Sequence, residues 1–396
     1  MKILVANLGS TSLKWRLFDF SDQTERLLHK GGFERVTDYP KAIEDCLGEL
    51  KKAHAIAGED ELNAVGFKPV IAKNVTGCVR MDETVLQAMA DYAGLAPAHN
   101  PPYINGVKLF AKRMPRTPLI GLFETAFHQF APEASQRYAV PEAWTQIGVR
   151  RWGFHGASHK YIAERSAELL ARPDVAERAR LLYVNNGAVK ISGAPLRVIS
   201  CHLGGSSSVT GILNGVSIGT SMGMSPQSGL PQNNRVGDLD PEALLYAVKT
   251  LGLSTEEAQK QLTNQAGLLG LSGVSNDLRD IGAAAAKGNA NARLALDVFV
   301  ASARHWAGSY FFQLDGADAI VFTAGGGENQ PDIRAAICAN LENLGIEIDA
   351  EKNQAARATE AEISAAGSRI KIFVIPTNEE LVIARETKRF LEADKN

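Results

Sequence analysis

The chain has 396 residues, with 42 Lys and Arg against 44 Asp and Glu, and therefore a formal net charge of −2. Hydrophobic residues make up 45 % of it and charged residues 22 %, which is typical of globular proteins, and the length predicts two or three domains at about 150 residues each. The balanced charge disfavours a protein that coats nucleic acid or an anionic membrane.

The sequence carries no signal for a membrane or an oxidising compartment. No run approaches the roughly 18 consecutive apolar residues of a membrane-spanning helix, and the first residues do not have the pattern of a signal peptide. Cys46, Cys78, Cys201 and Cys338 are scattered, without the spacing of a metal site or a disulfide framework. We therefore expect a cytoplasmic protein with free thiols.

The N-terminal segment predicts two strands around a polar turn. Residues 3–6 are apolar, residues 7–12 are turn-forming, and residues 13–18 alternate apolar and polar side chains. Backbone N–H groups and hydroxyls in such a turn can cradle a phosphate, and Lys14 adds positive charge. The same residues also suit a hairpin turn capped by its own side chains, so both interpretations stay open.

A second unit of this kind follows about 195 residues later. Residues 198–201 lead into residues 202–208, which repeat the turn rich in glycine and serine, and residues 209–213 are predicted as the returning strand. Asn214-Gly215 then predicts a two-residue hairpin leading to residues 216–218. The repeat indicates two similarly built halves.

Strand and helix patterns alternate through the rest of the chain, which favours the α/β class. Strands are predicted at 62–70, 118–123, 319–323 and 370–375, and helices at 241–250, 292–314 and 379–391. The segment 219–235 has no periodicity and is rich in Gly, Ser, Pro and Asn, and long irregular segments in compact proteins are usually functional. We expect the two halves to face each other across a cleft.

A third glycine cluster, residues 323–329, lies between a predicted strand and Pro331, which suits the first turn of a helix. The cluster has neither the Walker pattern nor the glycine register of dinucleotide-binding proteins. A strand that enters three glycines indicates close approach of the backbone to a ligand. Three glycine turns at strand ends together favour nucleotide binding.

Two histidines four residues apart, His155 and His159, stand beside Arg150 and Arg151. This spacing can place two metal ligands on one helix face. Gly153 and Gly156 are expected to break a helix there, however, and the arginines favour an anion. We therefore expect His155 to donate a hydrogen bond to a phosphoryl oxygen.

Together these segments resemble the acetate kinase family, from residue 1 to the C-terminal helix. The resemblance is carried by NLGSTSLK at 7–14, FETAFHQ at 123–129, GFHGASH at 153–159, SMGM at 221–224, RVGDLDP at 235–241, FTAGGGEN at 322–329 and PTNEEL at 376–381.

The resemblance implies two ribonuclease-H-like domains of the actin-like ATPase superfamily on either side of a nucleotide cleft. Residues 1–126 with 383–396 would form one domain, and residues 127–382 the nucleotide-binding one. It further implies a homodimer that transfers the ATP γ-phosphoryl group to acetate, reversibly and by in-line attack, to give acetyl phosphate and ADP. Mg²⁺ is the expected cofactor, with Mn²⁺ as a substitute, and no nucleic acid or membrane partner is expected.

Carried over position by position, the resemblance assigns the site residues. The catalytic residues would be Glu124, His155 and Arg235, and the Mg²⁺ ligands Asn7 and Glu379. The acyl substrate would contact Lys68, Val70, Ala98, Phe154 and Pro226. ATP and its phosphates would contact Ser10, Ser12, Lys14, His202, Leu203, Gly204, Gly205, Ser206, Asp277, Leu278, Arg279, Gly325, Gly326, Gly327, Glu328 and Asn329.

The charge chemistry supports this interpretation. A carboxylic acid with a pKa near 4 is ionised at pH 7 and needs no general base. The barrier is instead the repulsion between an anionic nucleophile and an anionic phosphoryl group, which positive charge and positioning reduce. Arg235, His155 and Mg²⁺ would supply that charge. The structural alternative for Arg235 is a salt bridge to Asp238 or Asp240.

Several positions depart from the family pattern. Lys68 stands where the family has an arginine, and a lysine lacks the bidentate fork of the guanidinium group. The His-Gly-Gly that should follow is absent. Glu124 replaces an aspartate. Gly205-Ser206 replaces Asn-Gly, which removes an amide donor, and Asn233-Asn234 replaces Gly-Thr. Ala98 replaces a leucine and would make room for a longer acid.

These departures leave alternatives open. The chain could be a relative that prefers propionate or butyrate, one that uses pyrophosphate as phosphoryl donor, or a non-catalytic nucleotide-binding paralogue. The joint presence of Asn7, His155, Arg235 and Glu379 favours catalysis, because a binding protein has no need of all four.

Overall fold

Two six-stranded mixed sheets carry the fold in the computed structural model, which describes residues 1–9, 11–21, 24–97 and 99–394. The strands are β1 (Lys2–Leu8), β2 (Ser12–Asp19), β3 (Arg26–Glu34), β4 (Leu62–Phe67), β5 (Cys78–Arg80), β6 (Leu119–Leu122), β7 (Arg197–Leu203), β8 (Ser207–Leu213), β9 (Val216–Thr220), β10 (Ala319–Thr323), β11 (Ala361–Glu362) and β12 (Lys371–Val374).

The helices flank these sheets. They are α1 (Tyr39–Lys52), α2 (Glu83–Asp91), α3 (Asn100–Arg113), α4 (Glu133–Gln136), α5 (Glu142–Gln146), α6 (Gly156–Leu169), α7 (Pro173–Arg180), α8 (Leu182–Asn185), α9 (Pro241–Leu251), α10 (Thr255–Asn264), α11 (Gly267–Ser272), α12 (Leu278–Ala286), α13 (Ala290–Gln313), α14 (Ala324–Asn329), α15 (Pro331–Cys338), α16 (Ala350–Ala355) and α17 (Glu379–Ala393).

The two sheets have the same topology. Their strand orders are β3-β2-β1-β4-β6-β5 and β9-β8-β7-β10-β12-β11. Each sheet begins with three antiparallel strands, followed by two parallel pairings. In the first sheet β1 pairs with β4 and β4 with β6, and in the second β7 pairs with β10 and β10 with β12. The last edge strand is antiparallel to its neighbour in both. The α/β class and the two similarly built halves predicted from the sequence are therefore confirmed.

The C-terminal helix α17 packs on the first sheet. A Cβ atom on Gly66 of β4 would lie 2.9 Å from Thr387 Oγ1 and 3.0 Å from Ile383 Cγ2, so glycine at this position permits the close approach of α17. Val382, Ile383 and Ala384 join the core formed by β1, β2, α1 and α3. A helix that follows the last parallel strand of the second sheet thus belongs to the core of the first.

The long helix α13 covers the second sheet. Its buried face includes Phe299 and Tyr310, and these pack in one core with residues of β7, β10 and β12. The ring of Tyr310 lies where a side chain at Gly211 would stand, with Cδ1 at 2.6 Å from the Cβ position. Apolar burial at about 25 cal/mol per Å² stabilises both sheet–helix layers.

Most predicted elements are found, with shifted ends. The helices predicted at 241–250, 292–314 and 379–391 correspond to α9, α13 and α17, and the segment 221–240 contains no helix or strand. The strand predicted at 62–70 ends at Phe67, because Pro69 lacks the N–H that a central strand requires.

Three local predictions are wrong. Gly156 begins α6 instead of breaking a helix, so His159 is helical and His155 is the N-cap residue. The glycines at 325–327 lie in α14 and not in a turn. The strand β3 was not predicted, because its side chains are largely exposed and it contains Gly31 and Gly32.

The four cysteines are free, and three of them, Cys46, Cys201 and Cys338, are buried, in agreement with the prediction of free thiols. In the described part of the chain, no helix combines the length and apolar character needed to cross a membrane.

Candidate active site

The candidate residues follow the carboxyl ends of parallel strands. Lys68 comes directly after β4, Glu124 two residues after β6, and the glycine-rich segments directly after β7 and β10. Ligands of open α/β sheets bind in the crevice outside these strand ends. Glu379 is the first residue of α17, whose N-cap, Asn378, accepts a hydrogen bond from Leu381 N–H at 3.2 Å.

Lys68 lies between two carboxylates. Its Nζ is 2.8 Å from Glu124 Oε1 and 2.6 Å from Glu379 Oε2, and the three side chains are only 11 to 20 % exposed. Its backbone N–H donates to Tyr103 Oη at 3.1 Å, and that hydroxyl is 3.4 Å from Asn7 Oδ1. One ammonium group thus joins the ends of β4 and β6 to the start of α17.

Burial and the mutual charges of Lys68, Glu124 and Glu379 shift all three pKa values. Burial raises the pKa of Glu124, and the neighbouring Glu379 adds to this, although Lys68 opposes both effects. Burial also disfavours the charged form of Glu379, but the attraction of Lys68 and of His202 outweighs it, so the pKa of Glu379 is lowered. The pKa of Lys68 lies well above its usual range because the two carboxylates outweigh its burial. Lys68 and Glu379 are therefore charged at pH 7.

Glu124 also fixes the backbone of His155. The His155 N–H donates to Glu124 Oε2 at 3.1 Å, and the Gly156 N–H donates to the Glu124 carbonyl oxygen at 2.8 Å. A Cβ on Gly156 would lie 2.5 Å from that carbonyl, so only glycine fits. His155 itself adopts a left-handed backbone, with φ of 59°. Strained backbone of this kind clusters at functional sites.

Four of the eight histidines lie together at the start of α6. The rings of His155 and His202 stack with centroids 3.9 Å apart and 17° between their planes. His159 lies 6.4 Å from His155 and 6.1 Å from His202, and His128 lies 5.8 Å from His159. Every ring is hydrogen-bonded to a serine hydroxyl, which is Ser217, Ser208, Ser200 or Ser158.

The buried cluster is neutral at pH 7. Burial lowers the pKa of His128 and of His202 to about 4. Burial, followed by the neighbouring histidines, holds the pKa of His155 and of His159 well below the usual value. In the described part of the chain, no group of three His, Cys, Asp or Glu side chains could hold a metal ion.

Arg235 has no carboxylate partner among the described residues. Its Nη1 lies 3.3 Å from Gln232 Oε1 and 3.4 Å from Ser206 Oγ. The alternative of a salt bridge to Asp238 or Asp240 is wrong. Asp238 accepts hydrogen bonds from Gly229 N–H and Trp306 Nε1–H, and Asp240 caps α9. Burial lowers the pKa of Arg235, and a guanidinium nevertheless stays charged at pH 7.

Three predicted nucleotide segments line one cavity of about 330 Å³. Its walls come from the turn after β7, the start of α12 and the helix α14 after β10. The lining residues are Gly204, Gly205, Asn233, Asp277, Leu278, Arg279, Gly325, Gly326, Asn329 and Gln330. A Cβ on Gly326 would lie 2.7 Å from the Leu203 carbonyl oxygen, so glycine lets α14 approach β7 at the cavity wall.

The remaining residues of these segments support the walls. Leu203 is buried in the core, and the carbonyl of Gly327 accepts a hydrogen bond from the buried Arg334 at 2.8 Å. Glu328 Oε1 accepts from Thr377 N–H at 3.3 Å, and Ser206 Oγ donates to Gln232 Oε1 at 2.7 Å.

The first turn is closed by its own backbone. Gly9 N–H donates to the Ser12 carbonyl at 2.8 Å, and the Tyr39 hydroxyl donates to the Gly9 carbonyl. Asn7 and Lys14 line a separate cavity of about 360 Å³ together with Arg16, and Lys14 Nζ pairs with Glu34 at 2.9 Å. Ser10 lies outside the described residues.

The predicted acyl side is apolar. Phe154 packs with Ile71, Tyr92, Trp152 and Met222, and Val70 lies against this cluster. The Pro226 carbonyl oxygen accepts a hydrogen bond from Gln232 Nε2 at 2.6 Å. Ala98 lies outside the described residues.

Four residues near the site were not among the predicted site residues. Tyr103 links Asn7 to Lys68, Gln232 contacts Arg235, and Asn233 lines the nucleotide cavity. Burial, with Arg235 and Lys68 nearby, lowers the pKa of His99. The pair Asn233-Asn234 before Arg235 was the one sequence signal that pointed to this group.

Known proteins resemble the chain along its whole length. The model of the acetokinase family matches residues 30–385. The acetate kinase of Methanosarcina thermophila is 40 % identical over 420 residues, which covers 100 % of this chain and 98 % of the relative. The acetate kinase of Clostridium botulinum (strain 657 / Type Ba4) is 41 % identical over 414 residues, covering 98 % and 99 %.

Solved structures agree with the sequence relatives. Porphyromonas gingivalis acetate kinase superposes with a TM-score of 0.86 at 32 % identity, covering 98 % of this chain and 99 % of that one. A propionate kinase from Francisella tularensis subsp. tularensis SCHU S4 superposes with a TM-score of 0.83 at 32 % identity, covering 97 % and 98 %. The expected two-domain fold of the actin-like ATPase superfamily is confirmed by these neighbours.

The neutral histidine cluster makes stability depend on pH. The pKa of His128 and of His202 is about 4 in the folded chain, and a histidine in the unfolded chain has a pKa near 6.5. Between about pH 4 and 6.5, the unfolded chain therefore binds protons at these positions more than the folded chain does. Stability is therefore fully present above pH 6.5 and is lost as the pH falls. From pH 7.5 to 5.5, each such residue should remove about 1.4 kcal/mol from the free energy of unfolding.

Urea unfolding of the His128→Gln variant at both pH values tests this. We expect its loss of stability between pH 7.5 and 5.5 to be smaller than that of the wild type by about 1.4 kcal/mol. The exposed His305→Gln change serves as control and should lose as much as the wild type. Equal losses for the two variants would contradict the neutral state of His128.

Proposed function

This chain belongs to the acetokinase family, and we propose on that basis that it transfers the γ-phosphoryl group of ATP to acetate, reversibly, giving acetyl phosphate and ADP. The observation that supports the proposal best is the arrangement of charge around the strand ends. Lys68 holds the carboxylates of Glu124 and Glu379, while Arg235 stands free of any described carboxylate beside the nucleotide cavity.

The acyl carboxylate would bind beside Lys68. An ammonium group has three N–H donors, and Glu124 and Glu379 occupy two of them. The third is left for one oxygen of acetate, and the apolar cluster around Phe154 receives the methyl group. A lysine can therefore take over from the arginine of the family pattern here, because the bidentate fork is not needed when one donor suffices.

In the reaction, the free carboxylate oxygen attacks the γ-phosphorus in line with the bond to the β-phosphate. The new O–P bond forms as the bridging P–O bond breaks, and its electron pair leaves with ADP. Arg235 would neutralise charge on the equatorial oxygens, and His155 would donate a hydrogen bond to one of them. No proton has to be removed from the nucleophile.

The donor set at Asn7 and Glu379 fits Mg²⁺. Magnesium prefers oxygen ligands and commonly takes one or two carboxylates together with phosphate oxygens and water. Glu379 is ionised, and only Oε2 is held by Lys68, while Asn7 Oδ1 has only a long contact with Tyr103. The ion would neutralise phosphate charge when bound.

A longer acid is the second candidate substrate. The propionate kinase of Francisella tularensis superposes nearly as well as the acetate kinase of Porphyromonas gingivalis. The proposal is tested by trapping the acyl phosphate as hydroxamate with ATP and acetate, propionate or butyrate. We expect product with acetate at the highest kcat/KM. Highest kcat/KM with propionate or butyrate would shift the assignment to the longer acid, and no product from any acid would favour a non-catalytic nucleotide-binding protein.

In the same assay, Arg235→Ala should lower kcat by at least about 100-fold, because it removes charge stabilisation in the transition state. ATP affinity, measured by calorimetry, should change much less. Equal losses of kcat and ATP affinity would contradict the catalytic role of Arg235.

We further propose that Asn233 replaces the amide lost from the nucleotide turn. The Asn233 N–H donates to the Gly205 carbonyl at 3.1 Å. A Cβ on Gly205 would lie 3.1 Å from Asn233 Nδ2, so the amide of Asn233 fills the space that a side chain at 205 would occupy. Both residues line the nucleotide cavity. An amide donor for the phosphates is thus available from the loop instead of the turn.

Exchange of the two residues tests this role. Asn233→Gly should weaken ADP binding by about tenfold, the value of one hydrogen bond. The double variant Gly205→Asn/Asn233→Gly should recover most of the affinity, since the asparagine then points into the vacated space. Asn234→Ala is the control, because within the described part of the chain Asn234 makes a hydrogen bond only through its backbone carbonyl. A double variant no better than Asn233→Gly would contradict the exchange.

The helix α9 supports a homodimer. It has no buried residue, and Leu245, Tyr246 and Leu251 are 60 to 72 % exposed, although the helix is rich in apolar residues. Exposed apolar faces of this kind mark protein–protein contacts. We expect light scattering to give twice the chain mass for the wild type and less for Leu245→Glu/Tyr246→Glu. Leu344→Glu, at another exposed leucine, should remain dimeric. A double variant that stays dimeric would remove α9 from the interface.

The assignment of residues 1–126 with 383–396 and of 127–382 to two domains stays a prediction. The first sheet uses strands from residues 2 to 122 and the second uses strands from 197 to 374, which supports it. The boundary at 383 falls inside the continuous helix α17, so we propose that the whole helix, from Glu379, moves with the first domain.

A further inference from the structure

A chain of hydroxyl and imidazole groups leads from the core to His155. Ser200 Oγ lies 2.8 Å from His159 Nδ1, and His159 Nε2 lies 2.8 Å from Ser208 Oγ. Ser208 Oγ lies 2.8 Å from His155 Nδ1. Ser200, His159 and Ser208 are fully buried, so water does not compete for these contacts.

Three arrangements give each contact one hydrogen. A neutral imidazole has one N–H, and a serine has one O–H and two acceptor lone pairs. In the first arrangement, Ser200 donates to His159 Nδ1, His159 Nε2–H donates to Ser208, and Ser208 donates to His155 Nδ1. The hydrogen of His155 must then be on Nε2. In the second, every donor is reversed and His155 carries its hydrogen on Nδ1. In the third, His159 Nε2–H and His155 Nδ1–H both donate to Ser208, and the hydroxyl hydrogen of Ser208 is unused.

The buried hydroxyl groups decide among them. In the second arrangement the Ser200 hydroxyl no longer donates to His159, and no other hydrogen-bond acceptor for it occurs among the described residues. In the third, the Ser208 hydroxyl hydrogen likewise has no acceptor among the described residues, because both of its histidine partners donate to it. A buried donor without a partner is costly, whereas in the first arrangement every hydroxyl hydrogen is used. The first arrangement is therefore the stable one.

His128 shows the same principle nearby. Its Nε2 lies 2.8 Å from the Phe154 carbonyl oxygen, which can only accept, so Nε2 carries the hydrogen. Its Nδ1 then accepts from the Ser217 hydroxyl at 3.0 Å. A fixed acceptor sets the tautomer of His128, and a buried hydroxyl sets that of His159.

We propose that Ser200, His159 and Ser208 are positioning residues that hold His155 as the Nε2–H tautomer. Nε2 of His155 has no hydrogen-bond partner among the described residues, and the ring is half-buried against His202. On the proposed function, on which this inference rests, the tautomer presents a donor to a phosphoryl oxygen. The opposite tautomer would present a lone pair and repel it.

The tautomer can be read directly by NMR of the protein labelled with ¹⁵N-histidine, with His155 assigned through a His155→Gln variant. At pH 7.5 we expect the His155 Nδ1 shift of an unprotonated nitrogen and the Nε2 shift of a protonated one. Ser208→Ala should move both shifts toward those of a tautomer mixture, and Ser200→Ala should do so to a smaller extent. A wild-type spectrum with the hydrogen on Nδ1 would overturn the proposal.

Kinetics separate positioning from general damage to the fold. Ser208→Ala should lower kcat by about tenfold or more, with little change in the KM for ATP. Ser208→Thr keeps the hydroxyl group and should therefore retain most of the wild-type kcat. Thr210→Val is the matched control. Thr210 lies in the same strand and is also fully buried, but its hydroxyl donates to Thr220 at 2.9 Å and forms no hydrogen bond with a histidine among the described residues.

Equal kcat losses in Ser208→Ala and Thr210→Val would contradict the positioning role. If the wild type phosphorylates no acid, the proposed function fails, while the wild-type ¹⁵N spectrum still decides whether the chain fixes the tautomer. The spectrum of the wild type needs no variant at positions 200 or 208 and therefore does not depend on how those variants fold.

Discussion

The site depends on the sharing of Lys68 by Glu124 and Glu379. The two carboxylates come from the end of β6 and the start of α17, and both lie within 2.8 Å of one ammonium group. Without that cation the two carboxylates would repel each other, because water screens charges only weakly at these largely buried positions. The ion pair therefore holds the C-terminal helix, which follows the second sheet, against the strand ends of the first.

Around this ion pair, positive charge is concentrated at few positions. The four clustered histidines are neutral because burial disfavours their charged forms, so they contribute hydrogen-bond donors without adding charge. Lys68 and Arg235 carry the permanent charge. On the proposed function, a reaction that joins two anions would benefit from this arrangement, because the cations would face the ligands while the neutral rings pack closely.

The departures from the family pattern form a consistent set. Lys68 stands where the family pattern has an arginine, and two of its three donors are engaged with carboxylates. One of these, Glu124, is itself a methylene longer than the usual aspartate. Asn233 stands over Gly205 and occupies the space of the side chain that the turn has lost. Changes at distant sequence positions thus meet in the folded chain, as the proposed compensation requires.

The sequence by itself determined the α/β class, the duplicated plan and the segments that line the nucleotide cavity, because apolar periodicity and glycine clusters are local signals. Through the resemblance it also predicted Lys68, Glu124, His155, Arg235 and Glu379 as site residues. Only the tertiary structure decided how these side chains pair, that Gly156 starts a helix, and that Ser200 and Ser208 reach the histidines. Those facts depend on contacts between strands and helices far apart in the chain, and no local pattern records which buried hydroxyl will meet which ring.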